Sequence, residues 1–231
     1  MKSTGLAQML ILVLGSTNGQ NINEELNRME KTYLNEPSVY QNYQNLQSML
    51  TTRFEQLTLE NRKRIRDLLD NASFSTVTIY ATQEPGKRIA IFGRLTDQSG
   101  KPISSSKIIF YHADDKGCYA PSDATTKRMS EQDARLYGVL RTNSKGEYKI
   151  NTIRPGSYPF KYNGRFIPQH IHLNVSAVGF KPLNVQVVFD DDPAMQDEHW
   201  RDWAKEMEFP IVKLSMSEGI NSGTCNIVLK K

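Results

Sequence analysis

From Thr76 to the C-terminus the chain is cut into short β-branched and aromatic runs by Gly, Pro, Asn and Asp, and this rhythm restricts the fold more than any other feature. Val77-Thr78-Ile79-Tyr80, Ile89-Ala90-Ile91-Phe92 and Lys107 to His112 read as strands, and Ile108, Phe110 and His112 fall on one face of the last. Asp97-Gln98-Ser99-Gly100 and Asn143-Ser144-Lys145-Gly146 supply turn chemistry. Further runs are Glu147 to Thr152, Ile171 to Val178, Asn184 to Phe189 and Cys225 to Leu229. This pattern predicts a mainly β protein, an antiparallel β-sandwich, over residues 76–231. A charged helical excursion from Met195 to Met207 sits between the last strands.

Before Thr76 the texture is helical. Leu46, Met49, Leu50, Phe54 and Leu57 recur at three- and four-residue steps, and Ile65, Leu68 and Leu69 follow among charges. Residues 20–75 are therefore expected to form an N-terminal helical arm, either a packing or homodimerisation element or a plain cap on the body. Residues 1–19 carry a lysine, an apolar stretch from Leu6 to Leu14, and then small and polar residues, which resembles a secretory signal. That stretch is too short to span a bilayer, so no membrane partner is expected after processing. Export is the expectation; a cytoplasmic protein with an apolar N-terminal helix is the alternative.

The formal charge is +4, and the longest basic run is Arg62-Lys63-Arg64, which fits the wet face of a helix. No nucleic-acid partner is expected from so modest a signal. The two cysteines, Cys118 and Cys225, make neither a disulfide framework nor a structural zinc site.

The sharpest local feature is His170-Ile171-His172. Side chains alternate faces along a strand, so the two imidazoles are neighbours on one face while Ile171, Leu173 and Val175 take the other. Such a pair can chelate one metal, and it can equally be structural. Pro155-Gly156-Ser157-Tyr158-Pro159 places a tyrosine in a stiff turn, and Asp115-Lys116-Gly117-Cys118-Tyr119 places another past a glycine turn. Each alone reads as a packed ring.

Taken in order, these segments resemble the intradiol ring-cleavage dioxygenases, the group containing catechol 1,2-dioxygenase and protocatechuate 3,4-dioxygenase. The matching pieces are Gly93-Arg94-Leu95-Thr96-Asp97 with Gly100-Lys101-Pro102-Ile103, then Tyr111-His112-Ala113-Asp114 with Gly117-Cys118-Tyr119. Tyr137-Gly138, Arg141-Thr142-Asn143 and Gly146-Glu147-Tyr148 follow, then Thr152 to Pro159, Pro168-Gln169-His170-Ile171-His172, and Gln186 to Phe189. The resemblance implies ferric iron, Fe(3+), held by two tyrosinates and two histidines. Tyr119 and His170 would be equatorial and Tyr158 and His172 axial, with a hydroxide completing the shell. It further implies a catechol-type aromatic substrate and O2, with both oxygen atoms entering a muconate-type diacid as the ring opens between the hydroxylated carbons. Tyr158 would double as a base, Gln186 would stand behind the ligands, and no organic cofactor would be needed. A tyrosine ionises at a pKa of about 10 in water, so a hard trivalent cation is what would keep it a phenolate at neutral pH. The family carries an arginine three residues before the first histidine, where its charge supports the developing anion. Here Ile167 holds that position, and Arg165 is the nearest arginine, expected to supply the charge if a local bulge brings it in.

Two readings from other classes compete. A non-catalytic sandwich module of the transthyretin-like or carboxypeptidase-regulatory kind shares the Gly-x-Leu-x-Asp opening and the Gly-Glu-Tyr hairpin, but has no need of Tyr158 and the paired histidines. A zinc hydrolase would use the histidines and leave both tyrosines unexplained.

Overall fold

A computed structural model describes residues 19–35, 40–126, 129–217 and 219–231 of the chain. The signal-like segment, residues 1–19, lies outside these apart from Gly19, which opens the first helix. In order the helices are α1 (Gly19–Asn35), α2 (Tyr40–Thr52), α3 (Leu59–Leu69), the short α4 (Asp123–Thr126) and α5 (Glu198–Glu206). The strands are β1 (Thr76–Thr78), β2 (Arg88–Asp97), β3 (Lys107–His112), β4 (Leu136–Arg141), β5 (Glu147–Ile153), β6 (Lys161–Tyr162) and β7 (Arg165–Phe166). They continue with β8 (His170–Ser176), β9 (Leu183–Phe189), β10 (Ile211–Val212), β11 (Ser215–Ser217), β12 (Ile220–Thr224) and β13 (Ile227–Leu229).

Two sheets pack face to face. One runs β1-β5-β2-β12-β11 with β13 also on β2; the other runs β10-β9-β8-β3-β4. The expectation of antiparallel sheets needs correction, because both sheets are mixed. β1 lies parallel to β5, β12 and β13 lie parallel to β2, and β10 lies parallel to β9. Each parallel partner joins its neighbour after a long excursion of chain and not through a hairpin, so the local alternation of side chains carries no sign of its direction. The core between the sheets holds the predicted faces: Ile108 and Phe110 from β3, and Ile171, Leu173 and Val175 from β8, are all buried with Ile89, Ile91 and Ile150 opposite. Gly138 on β4 is directly opposite Phe110, and a Cβ there would stand 2.5 Å from the Phe110 ring and 2.6 Å from Ile79.

The helical segment packs onto the body. Leu26, Tyr33, Tyr43, Leu46, Leu50, Ile65 and Leu69 belong to the same buried cluster as Ile79 and Phe110. Thr58 caps α3 by accepting from Asn61 N. The edge strand β4 would expose unpaired backbone groups, and the helices cover it: Val139 N–H donates to the Tyr43 hydroxyl at 3.1 Å. Arg62 and Arg66 of α3 both reach Asp133, at 2.7 and 2.8 Å, and so tie the helices to the loop before β4. Among the described residues no helix is long and apolar enough to cross a membrane.

Candidate functional site

The outer face of the second sheet carries the chemistry. His170 and His172 project from β8 on the side opposite the core, and both are buried. Register puts Tyr111 of β3 on one side of His172 and Gln186 of β9 on the other, so Gln186 shares its face as the sequence suggests. The Tyr111 ring stacks on the His172 imidazole at 4.6 Å and 9° between planes.

The two tyrosines arrive on loops that lock together through glycine. The first loop turns at Gly117, with φ +82°, and Asp114 accepts backbone N–H groups from Lys116 and Cys118 at 3.0 Å each. The second crosses it closely: Gly156 N–H donates to Asp114 O at 2.7 Å. A Cβ on Gly117 would stand 1.9 Å from Ser157 O, and one on Gly156 would stand 2.4 Å from Asp115 O. Only glycine allows this approach. Asp123, itself buried, then holds the backbone of Tyr119 and Ala120 through its Oδ2 at 3.0 and 3.1 Å.

Four polar atoms consequently converge. Tyr119 Oη lies 2.7 Å from Tyr158 Oη, 2.8 Å from His172 Nε2 and 3.4 Å from His170 Nε2. Tyr158 Oη lies 3.2 Å from His170 Nε2, and the two imidazole Nε2 atoms are 3.2 Å apart. Donors about 2.0–2.1 Å from a shared cation, at right angles to tetrahedral spacing, are about 2.9–3.4 Å from one another; three of the five separations fall in that span, and the Tyr119 Oη distances to Tyr158 and His172, at 2.7 and 2.8 Å, are hydrogen-bond lengths just below it. His170 Nδ1 donates to Pro168 O at 2.7 Å, which turns the Nε2 lone pair inward. His112 is excluded from the cluster, since its Nδ1 donates to Ala113 O and its Nε2 accepts from Thr152 Oγ1. Among the described residues no group of three or more His, Cys, Asp or Glu could hold a metal; half of this donor set is phenol.

The electrostatics fit the same reading. Burial, then the neighbouring Tyr158, pushes the Tyr119 phenol well above its ordinary value, and burial does the same to Tyr158. Burial pulls His170 down, and burial followed by the charge of His170 pulls His172 down to about 3. Without a cation the site thus holds two protonated phenols and two neutral imidazoles. Neutral imidazoles suit a metal directly, and only a strong positive charge at the centre would reverse the preference of the phenols.

Arg165 is not brought to this cluster. Asn163 and Gly164, with φ of 48° and 81°, form the tight turn between β6 and β7. That hairpin carries Arg165 outward, where its Nε pairs with Asp197 Oδ2 at 2.9 Å with both side chains substantially exposed. Asp197 also caps α5 through His199 N. Ile167 instead contacts both the tyrosine cluster and the cluster around Trp200, as an apolar wall. Arg165→Ala is therefore expected to change folding stability by no more than about 1 kcal/mol, since an exposed pair of this kind contributes roughly 0–1 kcal/mol. A loss of several kcal/mol on chemical denaturation would show that Arg165 is held by more than this exposed pair.

Two residues at the site escaped the sequence. Glu131 lies in a single 3-10 turn, Glu131–Asp133, and its Oε1 accepts from Tyr158 Oη at 3.1 Å. Nothing local marks it, because Asp123 and the Arg62–Asp133–Arg66 contacts fold that loop back. Tyr111 stands within a matching segment, yet its stacking on His172 depends on strand register alone.

Comparison with known proteins agrees with this geometry. A family model described as dioxygenase matches residues 69–221, more than half of the chain. The chain is 28% identical over 127 residues to catechol 1,2-dioxygenase 2 of Acinetobacter lwoffii, covering 50% of this chain and 44% of that one. It is 30% identical over 118 residues to the protocatechuate 3,4-dioxygenase beta chain of Burkholderia cepacia, covering 48% of each. The chain spans about half the length of these relatives. In fold it resembles 3-chlorocatechol 1,2-dioxygenase from Rhodococcus opacus 1CP, with a TM-score of 0.55 at 16% identity over 92% of this chain and 98% of that one. Catechol 1,2-dioxygenase from Acinetobacter sp. ADP1 gives a TM-score of 0.54 at 21% identity over 69% and 58%. A chain whose family model takes in all four converging side chains, on a fold shared with these enzymes, belongs to the intradiol dioxygenase family.

Proposed function

We propose that this chain is a ferric dioxygenase that opens a catechol-type ring between its two hydroxylated carbons, using O2. The convergence of Tyr119 Oη, Tyr158 Oη, His170 Nε2 and His172 Nε2 within 2.7–3.4 Å carries the reading. These four side chains would hold the iron, which when bound supplies the redox-active centre for diol and O2. Two phenolates would offset most of the ferric charge while the imidazoles add donors without charge.

The chain's own residues divide the remaining work. Tyr119 is the more deeply held of the phenols, fixed from behind by Asp123 and flanked by Tyr111. Tyr158 donates to Glu131 here, and once ionised by the metal its Oη would take a proton from an incoming hydroxyl. His172 is kept in plane by Tyr111 and neighboured by Gln186. Ile167, Phe160 and Met129 pack around the tyrosines and exclude water from that side. A non-catalytic sandwich module has no use for four polar atoms gathered and desolvated at one point.

Colour tests the proposal. Iron-loaded protein is expected to show a broad visible absorption from tyrosinate donation to ferric iron, while zinc-loaded protein, with its filled d shell, stays colourless. Anaerobic catechol should shift the band, and air should restore it as the diacid appears. Protein that stays colourless after iron loading would overturn the proposal in favour of the binding-module reading.

A further inference from the structure

Tyr158 and His170 lie on one stretch of chain that passes from the first sheet to the second, and the two ends of that stretch are tied together. It leaves the first sheet at Arg154, directly after β5, and enters the second at Gln169, directly before β8. Arg154 Nε donates to Gln169 Oε1 at 2.6 Å. A guanidinium carries only donors, so the amide oxygen is the atom that must face it. The contact joins residues fifteen apart in the chain, with Tyr158 and the β6–β7 hairpin between them.

Each end is also fixed to a third segment, the end of β9 and the turn after it. The Arg154 guanidinium lies over the Phe189 ring at 4.9 Å, and its Nη1 donates to Asp191 Oδ2 at 2.7 Å. Gln169 N–H donates to Asp192 Oδ2 at 2.5 Å, and the other oxygen of this buried carboxylate accepts from Ala194 N–H at 2.9 Å. Arg154 N–H in turn donates to Lys87 O at 2.8 Å, just before β2. The two side-chain contacts of Arg154 differ in setting. The Asp191 side chain is 59% exposed, and an ion pair to so exposed a partner contributes little. The contact to Gln169 is the one that spans the two sheets.

We propose that Arg154 is a positioning residue for the candidate centre: with Gln169 it sets the entrance of β8 against the root of the Tyr158 loop, and so the 3.2 Å approach of Tyr158 Oη to His170 Nε2. The inference rests on the metal-binding reading above. On one side, His170 follows Gln169 directly and its Nδ1 is bonded to Pro168 O, so the imidazole moves with the β8 entrance. On the other, only Pro155, Gly156 and Ser157 separate Arg154 from Tyr158. Proline stiffens that link, and the Gly156 N–H bond to Asp114 O fixes its middle. Residues that orient a ligand without touching the metal cost about 10–100-fold in metal affinity when removed.

Titration of metal-free protein with zinc and, separately, with ferric iron, each against a competing chelator, tests this. Arg154→Met and Gln169→Leu are each expected to weaken binding of both metals by about tenfold or more. The double variant should lose no more than either single one, because both substitutions break the same contact. Asp191→Asn should keep wild-type affinity. Chemical denaturation of the same metal-free samples separates positioning from folding, since lost stability does not lower the affinity of protein that is still folded. Wild-type affinity in Gln169→Leu overturns the inference, and does so whether or not Arg154→Met folds. Losses that multiply in the double variant overturn it as well. Failure of the dioxygenase reading looks different: iron-loaded wild type without colour, with the order of zinc affinities among the variants kept. A wild type that binds neither metal overturns both.

Discussion

Tyr119→Phe and His172→Ala are each expected to lower iron affinity by at least about a hundredfold and to bring ring cleavage below detection. Even residues that only orient a ligand cost about 10–100-fold when removed, so losing one of four donors sets a larger floor. The two variants separate chemistry from folding. Tyr119→Phe keeps a ring that packs against Tyr111 and Tyr158 and deletes the Oη that lies 2.7–2.8 Å from Tyr158 and His172. Metal-free stability should therefore change by only about 1–2 kcal/mol, the scale of one buried hydrogen-bonding group. His172→Ala also removes the imidazole under Tyr111 and leaves a hole beside Gln186. Metal analysis after dialysis, oxygen uptake with catechol and chemical denaturation of metal-free protein measure the three quantities. Tyr119→Phe with full iron content and full turnover would remove that residue from the ligand set.

Gly117→Ala should be nearly as damaging although it touches no donor atom. The position has φ +82°, and the added methyl would enter Ser157 O at 1.9 Å, so the Tyr119 and Tyr158 loops must separate. Positive φ costs an ordinary residue about 1–2 kcal/mol, and separating the loops brings the total to on the order of 3 kcal/mol or more. Gly100 supplies the control, with φ +84° and nothing within 4 Å of its would-be Cβ. Gly100→Ala should show only the backbone penalty and keep its iron, whereas Gly117→Ala should lose iron together with stability. Equal denaturation midpoints for the two variants would show that the loops are not braced against each other as described.

The site illustrates how far a chain can be read without its fold. His170 and His172 were legible as a pair because strand alternation is a local rule, and Ile171, Leu173 and Val175 fell on the core face for the same reason. The candidate ligands Tyr119 and Tyr158 were named through family resemblance, and no property of their own segments predicts that they meet. Their meeting depends on Gly117 and Gly156 crossing at van der Waals limits, a contact between loops nearly forty residues apart in the chain. Arg165 shows the reverse dependence. Its distance in sequence from His170 suggested a place at the site, and the Asn163-Gly164 turn carried it to Asp197 instead.

The helical segment offers the wider contrast. Its three- and four-residue periodicity was sufficient to define helices and their apolar faces, because that pattern is set by the geometry of a single helix. That α3 would form one wall of a cleft beside the candidate centre, and that Arg62 and Arg66 would draw Asp133 down and set Glu131 against Tyr158, required the docking of three helices onto β4. The mixed direction of the sheets belongs to the same class of information. Strand identity was written in the sequence, since alternation and turn residues act over a few positions. Pairing direction, the company of Glu131 and the reach of Arg165 were decided by tertiary structure, because each depends on where distant segments return and on which charges they find there.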